Sequence, residues 1–424
     1  MIKIFREYNE KEIFERNDAS LDVSDIVRVI VEDVRKNGDK ALYEYSKRFD
    51  KVELSSFEIP YVSMHLAYER TDEEFKRVLN EAAANIREYH AAQVSAGYEI
   101  NRENGVKIGR RVIPLQRVAL YVPGGTAAYP SSVLMNCIPA KIAGVEEIIM
   151  TTPPSVDGTV RDDILAAAYV AGVDRIFCIG GAQAVAALAY GTESVPKCDK
   201  IVGPGNAFVA EAKRQVYGIV DIDMIAGPSE ILIIADKTAD ARAVAADMLS
   251  QAEHDKNATA VLITNCEELA NATAKELEIQ LSRLPREEIA RTSIENNGKI
   301  IITEHISSAI ELSNRLAPEH LELCTANPFE LLEKVRNAGS VFLGNNCPEA
   351  VGDYFSGTNH VLPTSGTARF ASALSVDDFI KTLEYTYYPR EALINDADKI
   401  ALFAKREGLD AHARSAQIRK ELGE

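Results

Sequence analysis

The spacing of apolar and polar residues divides the chain into a helical first part and a later part in which strands and helices alternate. Between residues 22 and 95, charged and apolar positions recur at helical spacing, and Ser24–Asn37 and Thr71–Glu88 are the clearest amphipathic helices. Ser24 and Thr71 belong to the residue types that cap helix N-termini, so we expect each to cap its helix.

From Arg117 onward, short β-branched runs alternate with alanine-rich helical stretches. The predicted strands are Val118–Val122, Glu147–Thr151, Arg175–Ile179 and Lys200–Val202, and the predicted helices between them are Val133–Ala143, Ile164–Ala171 and Ala182–Tyr190. This rhythm is typical of a parallel sheet with helices on both faces.

A second rhythm of the same kind begins near Ile231. Its predicted elements are the strands Ile231–Ala235, Ala260–Thr264, Lys299–Thr303 and Ser340–Leu343, and the helix Asp240–Glu253. The stretch Leu374–Glu424 is predicted to be largely helical after Val376. The pattern therefore predicts an α/β protein with two Rossmann-like, incomplete, parallel-sheet domains and a small helical C-terminal appendage.

The expected domain division follows from these rhythms. Residues 22–120 with 231–373 are predicted to form the first α/β domain, residues 121–230 an inserted second α/β domain, and residues 374–424 with 1–21 a helical tail. A chain of 424 residues is too long for one ordinary core, which agrees with more than one domain.

Composition excludes several classes of function. The formal net charge of −17 argues against a nucleic-acid partner and against an anionic membrane surface. No apolar run approaches the roughly 20 residues of a membrane span, and the N-terminus lacks a signal-peptide core. The six cysteines form no CxxC pair, so neither a disulfide framework nor a thiolate zinc knuckle is indicated. We expect a cytoplasmic, reducing location.

Three glycine-rich segments follow predicted strands. They are Val122-Pro-Gly-Gly-Thr126, Ile179-Gly-Gly-Ala-Gln183 and Val202-Gly-Pro-Gly-Asn-Ala207. Glycine lets a ligand approach the backbone, and ligands of open α/β sheets bind at the carboxyl ends of strands. The dinucleotide fingerprint GxGxxG is absent, and each loop taken singly is an ordinary tight turn. Together, the loops favour a phosphate or cofactor crevice.

Four of the seven histidines lie near carboxylates or amides that could share a site with them. The segments are Gln251-Ala-Glu-His254, Pro318-Glu319-His320, Gly352-Asp353-Tyr354 followed by Gly357-Thr-Asn-His360, and Glu407 with His412 on the last predicted helix. Imidazole, carboxylate and amide oxygen are good zinc ligands. Taken alone, however, a helical QxxH is usually a solvated pair, and Pro318-Glu-His320 is usually the start of a helix.

The cysteines suggest an alternative, an aldehyde dehydrogenase with a thiol nucleophile. Cys137 lies in an apolar helical run, and Cys347 precedes a proline. Neither has a basic neighbour in sequence that would lower its pKa. Packing is therefore the favoured role for both cysteines.

The motifs coincide over essentially the whole length with one family, and the chain resembles the histidinol dehydrogenases. The segments that carry the resemblance are RVALYVPGGTAAYPSSVLM, IGGAQAVAALAYGTESVP, IVGPGNAFVAEAKRQVYG, DMIAGPSEILIIAD, MLSQAEHD, RLAPEHLEL, NAGSVFLG and GDYFSGTNHVLPTSGTARF. The N-terminal hundred residues and residues 270–300 match the family only loosely.

The resemblance implies one Zn²⁺ ion per subunit. Its implied ligands are Gln251, His254 and Asp353 of one chain and His412 of the partner chain in a homodimer, with the C-terminal tail as the dimerisation region. It also implies that His320 is the base for alcohol oxidation and that its neighbour Glu319 activates water.

The resemblance further assigns the substrate and cofactor contacts. Histidinol would contact Ser229, Gln251, His254, His320, Asp353, His360, Glu407 and His412. NAD would be held near Tyr121, Gln183 and Asn206 on the inserted domain. The implied reaction is the oxidation of L-histidinol through L-histidinaldehyde to L-histidine with two NAD molecules, the final steps of histidine biosynthesis.

Three alternatives remain open from the sequence alone. A related enzyme could act on another amino or sulfonated alcohol. A zinc hydrolase such as an aminopeptidase could use Glu319 as its base. A binding protein without activity is the third, although it would be expected to have lost Glu319 or His320, and both are present.

Overall fold

The computed structural model describes residues 2–7, 12–13, 22–124, 129–155 and 157–422. The chain divides into two compact units, Met1–Gln93 with Leu115–Phe379, and Val94–Pro114 with Ile380–Glu424. Gly125 and Thr126 of the first glycine loop and most of residues 1–21 lie outside the described residues.

The strands are named in chain order. They are β1 (Lys3–Phe5), β2 (Glu58–Ile59), β3 (Tyr98–Asn101), β4 (Lys107–Pro114), β5 (Arg117–Tyr121), β6 (Glu147–Thr152), β7 (Arg175–Cys178), β8 (Lys200–Val202), β9 (Asp221–Ile222), β10 (Glu230–Ala235), β11 (Thr259–Thr264), β12 (Lys299–Ile302), β13 (His320–Cys324), β14 (Ser340–Leu343) and β15 (Ile380–Tyr387).

The helices are named in the same way. They are α1 (Ser24–Asn37), α2 (Asp39–Tyr45), α3 (Tyr61–Arg70), α4 (Glu73–Ala91), α5 (Pro130–Ala143), α6 (Asp162–Ala171), α7 (Gly181–Tyr190), α8 (Ala207–Val216), α9 (Ala241–Ala252), α10 (Glu267–Leu281), α11 (Glu287–Asn296), α12 (Ile306–Leu316), α13 (Pro328–Leu332), α14 (Glu349–Tyr354), α15 (Arg390–Arg406) and α16 (Asp410–Glu421).

Two six-stranded sheets form the first unit. The first sheet has the order β2-β7-β6-β5-β8-β9 and is parallel except for β2. The second sheet has the order β1-β12-β11-β10-β13-β14 and is parallel throughout. The predicted α/β class with parallel sheets is therefore confirmed.

Each sheet is buried on both faces, which explains the continuous apolar runs in its strands. In β10, Ile231 and Ile233 join one hydrophobic cluster, while Leu232 and Ile234 join the cluster on the opposite face. Successive strand residues point to opposite faces, so a central strand covered by helices on both sides needs apolar residues at every position.

The structure groups the first part of the chain differently from the expected division. Strand β5 pairs with β6 and β8 of the first sheet, and residues of α1, α2 and α4 lie in the two clusters that cover this sheet. Residues 22–120 were expected to join residues 231–373 instead. An amphipathic pattern shows that a helix buries one face, but it does not show which sheet that face packs against.

Two helix starts also differ from the prediction. Asp72, and not Thr71, caps α4, because its side chain accepts a hydrogen bond from the backbone N–H of Phe75. Ser24 is the first residue of α1, which follows Val23 without a side-chain cap. The local sequence offers several capping residues in a row, so a shift of one residue changes little in the helix that follows.

The second unit contains a three-stranded antiparallel sheet of order β15-β4-β3, followed by α15 and α16. The helical prediction for Ile380–Tyr387 was wrong, because this segment is a strand that pairs with β4 over eight residues. Its β-branched and aromatic residues favour a strand. The helical C-terminal segment is confirmed from Arg390 onward. Phe379, which ends the first unit, is fully buried.

Candidate functional site

The pair Glu319 and His320 is fixed at the amino end of β13. Glu319 Oε2 accepts a hydrogen bond from the backbone N–H of Glu230 at 2.8 Å, and His320 Nδ1 donates to the carbonyl oxygen of Glu230 at 3.0 Å. The predicted helix start at Pro318 was wrong, because His320 opens a strand. Pairing of β13 with β10 therefore holds both side chains and turns Nε2 of His320 away from the backbone.

Carboxylates surround His320. The Nε2 atom lies 3.6 Å from Asp353 Oδ1 on α14, too long for a hydrogen bond but close enough for strong charge attraction. One ligand atom each from His320, Glu349 and Asp353 lies within 4.8 Å of the other two. Glu349 was missed by the sequence analysis, although its spacing of four residues from Asp353 on one helix places both on the same face.

Burial and charge set unusual pKa values here. Burial raises the pKa of Glu319 to about 7, against the opposing effect of the His320 imidazolium. Burial alone lowers the pKa of His320, but the charges of Glu319, Asp353 and Glu349 outweigh burial and raise this pKa to about 10. Burial would raise the pKa of Asp353, yet the facing histidines 320, 360 and 254 lower it overall.

Gln251 lies near the C-terminus of α9 with its amide unsatisfied. Its side chain is 1% exposed, and among the described residues neither Oε1 nor Nε2 has a hydrogen-bond partner. His254 lies two residues beyond the end of α9, in a turn where its backbone N–H donates to the carbonyl oxygen of Gln251, and it is exposed. A buried amide without a partner is costly, so a ligand for this group is to be expected.

These residues fit a divalent cation. Within the part of the chain that the structure describes, Gln251 Oε1, His320 Nε2 and Glu349 Oε2 are buried and lack hydrogen-bond partners. The amide of Gln251 and the carboxylate of Glu349 offer oxygen donors of the kinds that zinc accepts, and the surplus of carboxylates would be neutralised by a cation. Of the predicted ligand set, Asp353 alone belongs to the cluster of His320, Glu349 and Asp353.

A cleft of ≈ 720 Å³ brings together three other predicted residues. Asn206, Ser229 and His254 all line it, together with Gly205 and Gly227. This volume lies in the range of small-molecule sites. The structure therefore places the third glycine loop, a predicted substrate contact and a predicted metal ligand around one space.

The predicted cofactor residues occupy the carboxyl edge of the first sheet. Tyr121 ends β5, and its hydroxyl oxygen accepts a hydrogen bond from the backbone N–H of Gly181 at 3.0 Å. Burial raises the pKa of Tyr121 to about 12. Gln183 is buried in the first turn of α7, and Asn206 caps α8 by accepting from the N–H groups of Phe208 and Val209.

The remaining predicted contacts are divided between the two units. His360 follows α14 in the first unit, and burial lowers its pKa. Glu407 lies at the end of α15 and His412 in the first turn of α16, both exposed in the second unit. The role of His412 in the site of a partner chain, which the resemblance implies, remains a prediction.

Cys137, one of the two cysteines considered as a nucleophile, does not offer an activated thiol. All six cysteines are free. Burial raises the pKa of the Cys137 thiol to about 12, and its Sγ lies near the carbonyl oxygen of Ala171 inside the core. This environment suits packing, as expected, and disfavours a nucleophile.

Comparisons with known proteins agree with the resemblance found in the sequence. Residues 14–420 match the family model described as histidinol dehydrogenase. The chain is 56% identical to histidinol dehydrogenase of Clostridium acetobutylicum, with 93% of this chain and 91% of the relative covered, and 52% identical to that of Lactococcus lactis, with 95% and 94% covered.

One solved structure is similar throughout. The crystal structure of histidinol dehydrogenase from Elizabethkingia anophelis matches with a TM-score of 0.95 and 38% identity, covering 100% of this chain and 99% of that chain. Over the residues that the structure describes, no helix has the length and apolar character needed to cross a membrane.

Proposed function

The chain belongs to the histidinol dehydrogenase family, and we propose that it oxidises L-histidinol through L-histidinaldehyde to L-histidine with two NAD molecules and one zinc ion per subunit. The observation that carries this proposal is the pair Glu319 and His320, two adjacent proton acceptors that both bind the backbone of Glu230. Two successive oxidations need two proton transfers, and these residues differ in environment enough to divide them.

The site residues supply binding and orientation. Zinc would be held by Gln251, His254 and Asp353 and by His412 of the partner subunit, and would orient the imidazole and amine of the substrate, while NAD accepts the hydride in each oxidation. Ser229, His360 and Glu407 are the proposed additional substrate contacts. Fixing the alcohol near His320 contributes to rate by orientation.

His320 is the proposed base for the alcohol step. Hydrogen bonding to the Glu230 carbonyl keeps a proton on Nδ1, so Nε2 is the atom that accepts the hydroxyl proton. Sharing Asp353 with a cation would reduce the negative charge facing His320 and lower its pKa towards the range of a useful base.

Glu319 is the proposed base for the aldehyde step. Burial raises its pKa to about 7, which suits a group that takes a proton from water near neutral pH. The resulting hydrate of the aldehyde is the species that is oxidised to the acid. Burial of Glu319 and His320 also keeps bulk water away from the bound aldehyde.

The direct test uses the purified protein with histidinol and NAD. Formation of two NADH per histidine, loss of activity after chelation and its return with zinc are the expected results. Absence of NADH together with metal-dependent peptide hydrolysis would overturn the proposal in favour of a zinc hydrolase. NADH formation with other amino alcohols but not with histidinol would identify a different substrate.

We also propose that the site is shared between the chains of a homodimer. In the second unit, α15 and α16 pack through a small cluster of alanines, Ala401, Ala404 and Ala413, while Leu402 and Phe403 are 63% and 72% exposed. Large apolar side chains left uncovered favour a partner surface. A twofold dimer would then give two equivalent sites, each completed by the other chain's tail.

Complementation tests the shared site. We expect a His254→Ala variant and a His412→Ala variant each to be inactive, and a mixture allowed to exchange subunits to regain part of the activity. One site of each mixed dimer would then be intact. A mixture that stays inactive although mass spectrometry detects mixed dimers would contradict a site shared between the two chains.

A cytoplasmic location remains a prediction that fractionation of cells would test.

A further inference from the structure

A buried ion pair lies beneath the third glycine loop and plays no part in the chemistry described above. Lys213 on α8 and Asp223, just after β9, contact each other, and their side chains are 2% and 1% exposed. A buried ion pair is weak evidence for stability, because desolvation of two charges offsets much of their attraction. Its presence therefore calls for another explanation.

Both partners also bind the backbone of one loop residue, Gly203, through the two peptide groups that flank its Cα atom. Lys213 Nζ donates to the carbonyl oxygen of Gly203 at 3.1 Å, and Asp223 Oδ2 accepts from the N–H of Gly203 at 2.7 Å. The second carboxylate oxygen, Oδ1, accepts from the backbone N–H of Met224 at 2.6 Å. The pair thus fixes the first residue of the segment Gly203–Asn206 from two sides.

Gly203 is held in a conformation that few other residues adopt. Its φ is +108°, and a Cβ atom at this position would lie 2.2 Å from the carbonyl oxygen of Tyr121. The loop therefore packs directly on the end of β5. Because the Tyr121 hydroxyl in turn binds the N–H of Gly181, one chain of contacts connects the ion pair with two of the three glycine loops.

We propose that Lys213 and Asp223 are positioning residues that hold the backbone of Gly203 and thereby keep the loop Gly203–Asn206 in the shape that binds NAD. The inference rests on the proposed function, in which NAD binds at the carboxyl ends of the strands of the first sheet. The downstream part of the loop, Gly205 and Asn206, lines the cleft. A small shift at Gly203 would displace these groups without touching the charged residues around His320.

The key variant replaces both partners, as Lys213→Met with Asp223→Leu. Replacing both charges by apolar side chains leaves no buried charge without a partner, so the fold should survive. The N–H and the carbonyl oxygen of Gly203 nevertheless lose their hydrogen-bond partners. We expect the dissociation constant of NAD, measured by calorimetry, to rise about tenfold, while zinc content and histidinol binding stay at their wild-type values.

A matched control is available in the same sheet. Lys200, at the amino end of β8, is also buried, but the ion pairs that it forms are with Asp221 at 3.0 Å and with Asp378 at 3.5 Å. Lys200→Met should lower the thermal midpoint of unfolding and leave NAD binding unchanged. If it weakens NAD binding as much as the double variant does, the role of the Lys213 pair is structural only and the proposal is overturned.

Hydrogen exchange gives a readout that needs no cofactor. In the double variant, the peptide covering residues 201–208 should exchange faster than in the wild type, and in Lys200→Met it should not. Lys213→Met with Asp223→Asn also leaves no buried charge without a partner, so it is the second variant if the first folds poorly, and it should also accelerate exchange at this peptide. Unchanged exchange in folded variants with wild-type NAD affinity would overturn the proposal. Failure of the wild type itself to bind NAD would instead count against the proposed function.

Discussion

The two parallel sheets have the same strand order, but their candidate sites lie at opposite ends of the strands. The site of the first sheet lies at the carboxyl ends, and the site of the second sheet lies at the amino ends. With β5 and β10 as the middle strands, β7-β6-β5-β8-β9 in the first sheet corresponds to β12-β11-β10-β13-β14 in the second. In the first sheet, Tyr121 ends β5 and Gly203 follows β8. In the second sheet, His320 opens β13 and Glu230 opens β10.

The two sites also differ in the chemistry that they offer. The first presents glycine loops and helix N-termini, so its binding groups are largely backbone N–H groups, which favour a phosphate-containing ligand. The second presents side chains that carry charge or lack partners, such as the buried Glu319 and Gln251 and the partly buried Asp353. Loss of one side chain should therefore have a much larger effect at the second site than at the first.

The largest effect is expected from the unsatisfied amide of Gln251. Gln251→Ala should lower zinc affinity by at least about 100-fold, because loss of a group that only hydrogen-bonds to a metal ligand already costs up to about 100-fold. The variant should also lose histidinol oxidation. The metal-free protein should be no less stable than the wild type, because the substitution removes a buried amide without a partner.

Metal content after dialysis against buffered zinc measures this effect. Gln280→Ala is the control, since Gln280 donates at the surface to the carbonyl oxygen of Arg242. Full zinc retention by Gln251→Ala would remove Gln251 from the metal site.

The next effect concerns the division of proton transfers. Glu319→Gln preserves an oxygen that can accept from the N–H of Glu230, but it cannot take a proton from water. Oxidation of histidinaldehyde should fall by about 10² to 10⁴, whereas oxidation of histidinol to the aldehyde should continue. Rates of NADH formation from each substrate separate the two steps.

Glu304→Gln, an exposed change, serves as the control for Glu319→Gln. Equal slowing of both steps by Glu319→Gln would show that the assigned division of labour is wrong.

The smallest effect is expected near the first sheet, at Asp50. Burial raises its pKa to about 6, and among the described residues its Oδ2 has no hydrogen-bond partner. Because the pKa of Asp50 is higher in the folded protein than in the unfolded chain, protonated Asp50 favours the folded state at low pH. This contribution to the free energy of unfolding is lost as the pH rises through about 6. Asp50→Asn should therefore stabilise the protein by about 1 kcal/mol above pH 6, after allowing for solvent screening at this partly exposed residue.

Denaturant unfolding of both proteins between about pH 4.5 and 7.5 checks the sign. The difference should be small at the acidic end of this range and grow with pH. Asp157→Asn is a suitable control, because Asp157 is exposed and satisfied by Thr159. A difference that does not change with pH would contradict the assignment of the buried charge to Asp50.

Sequence motifs identified most residues of the candidate site, but not the features that depend on contacts between distant segments. The segment Pro318-Glu-His320 was recognised, but its structure was mistaken for a helix start. Pairing with both β10 and β14 outweighs the local proline signal and makes β13 a central strand. Glu349 lacked a family motif, although its i, i+4 relation to Asp353 on one helix was readable from the sequence.

What the sequence by itself determined is the family, the α/β class, the two alternations of strand and helix and the identities of the polar residues. These follow from local periodicity and from motifs whose residues are close in the chain. Only the tertiary structure decided which sheet the first helices cover, that Glu319 and His320 both bind the backbone of Glu230, and that Asn206, Ser229 and His254 line one cleft. These are contacts between residues far apart in sequence, chosen by strand pairing and burial, and the periodicity of a single segment carries no information about its partner.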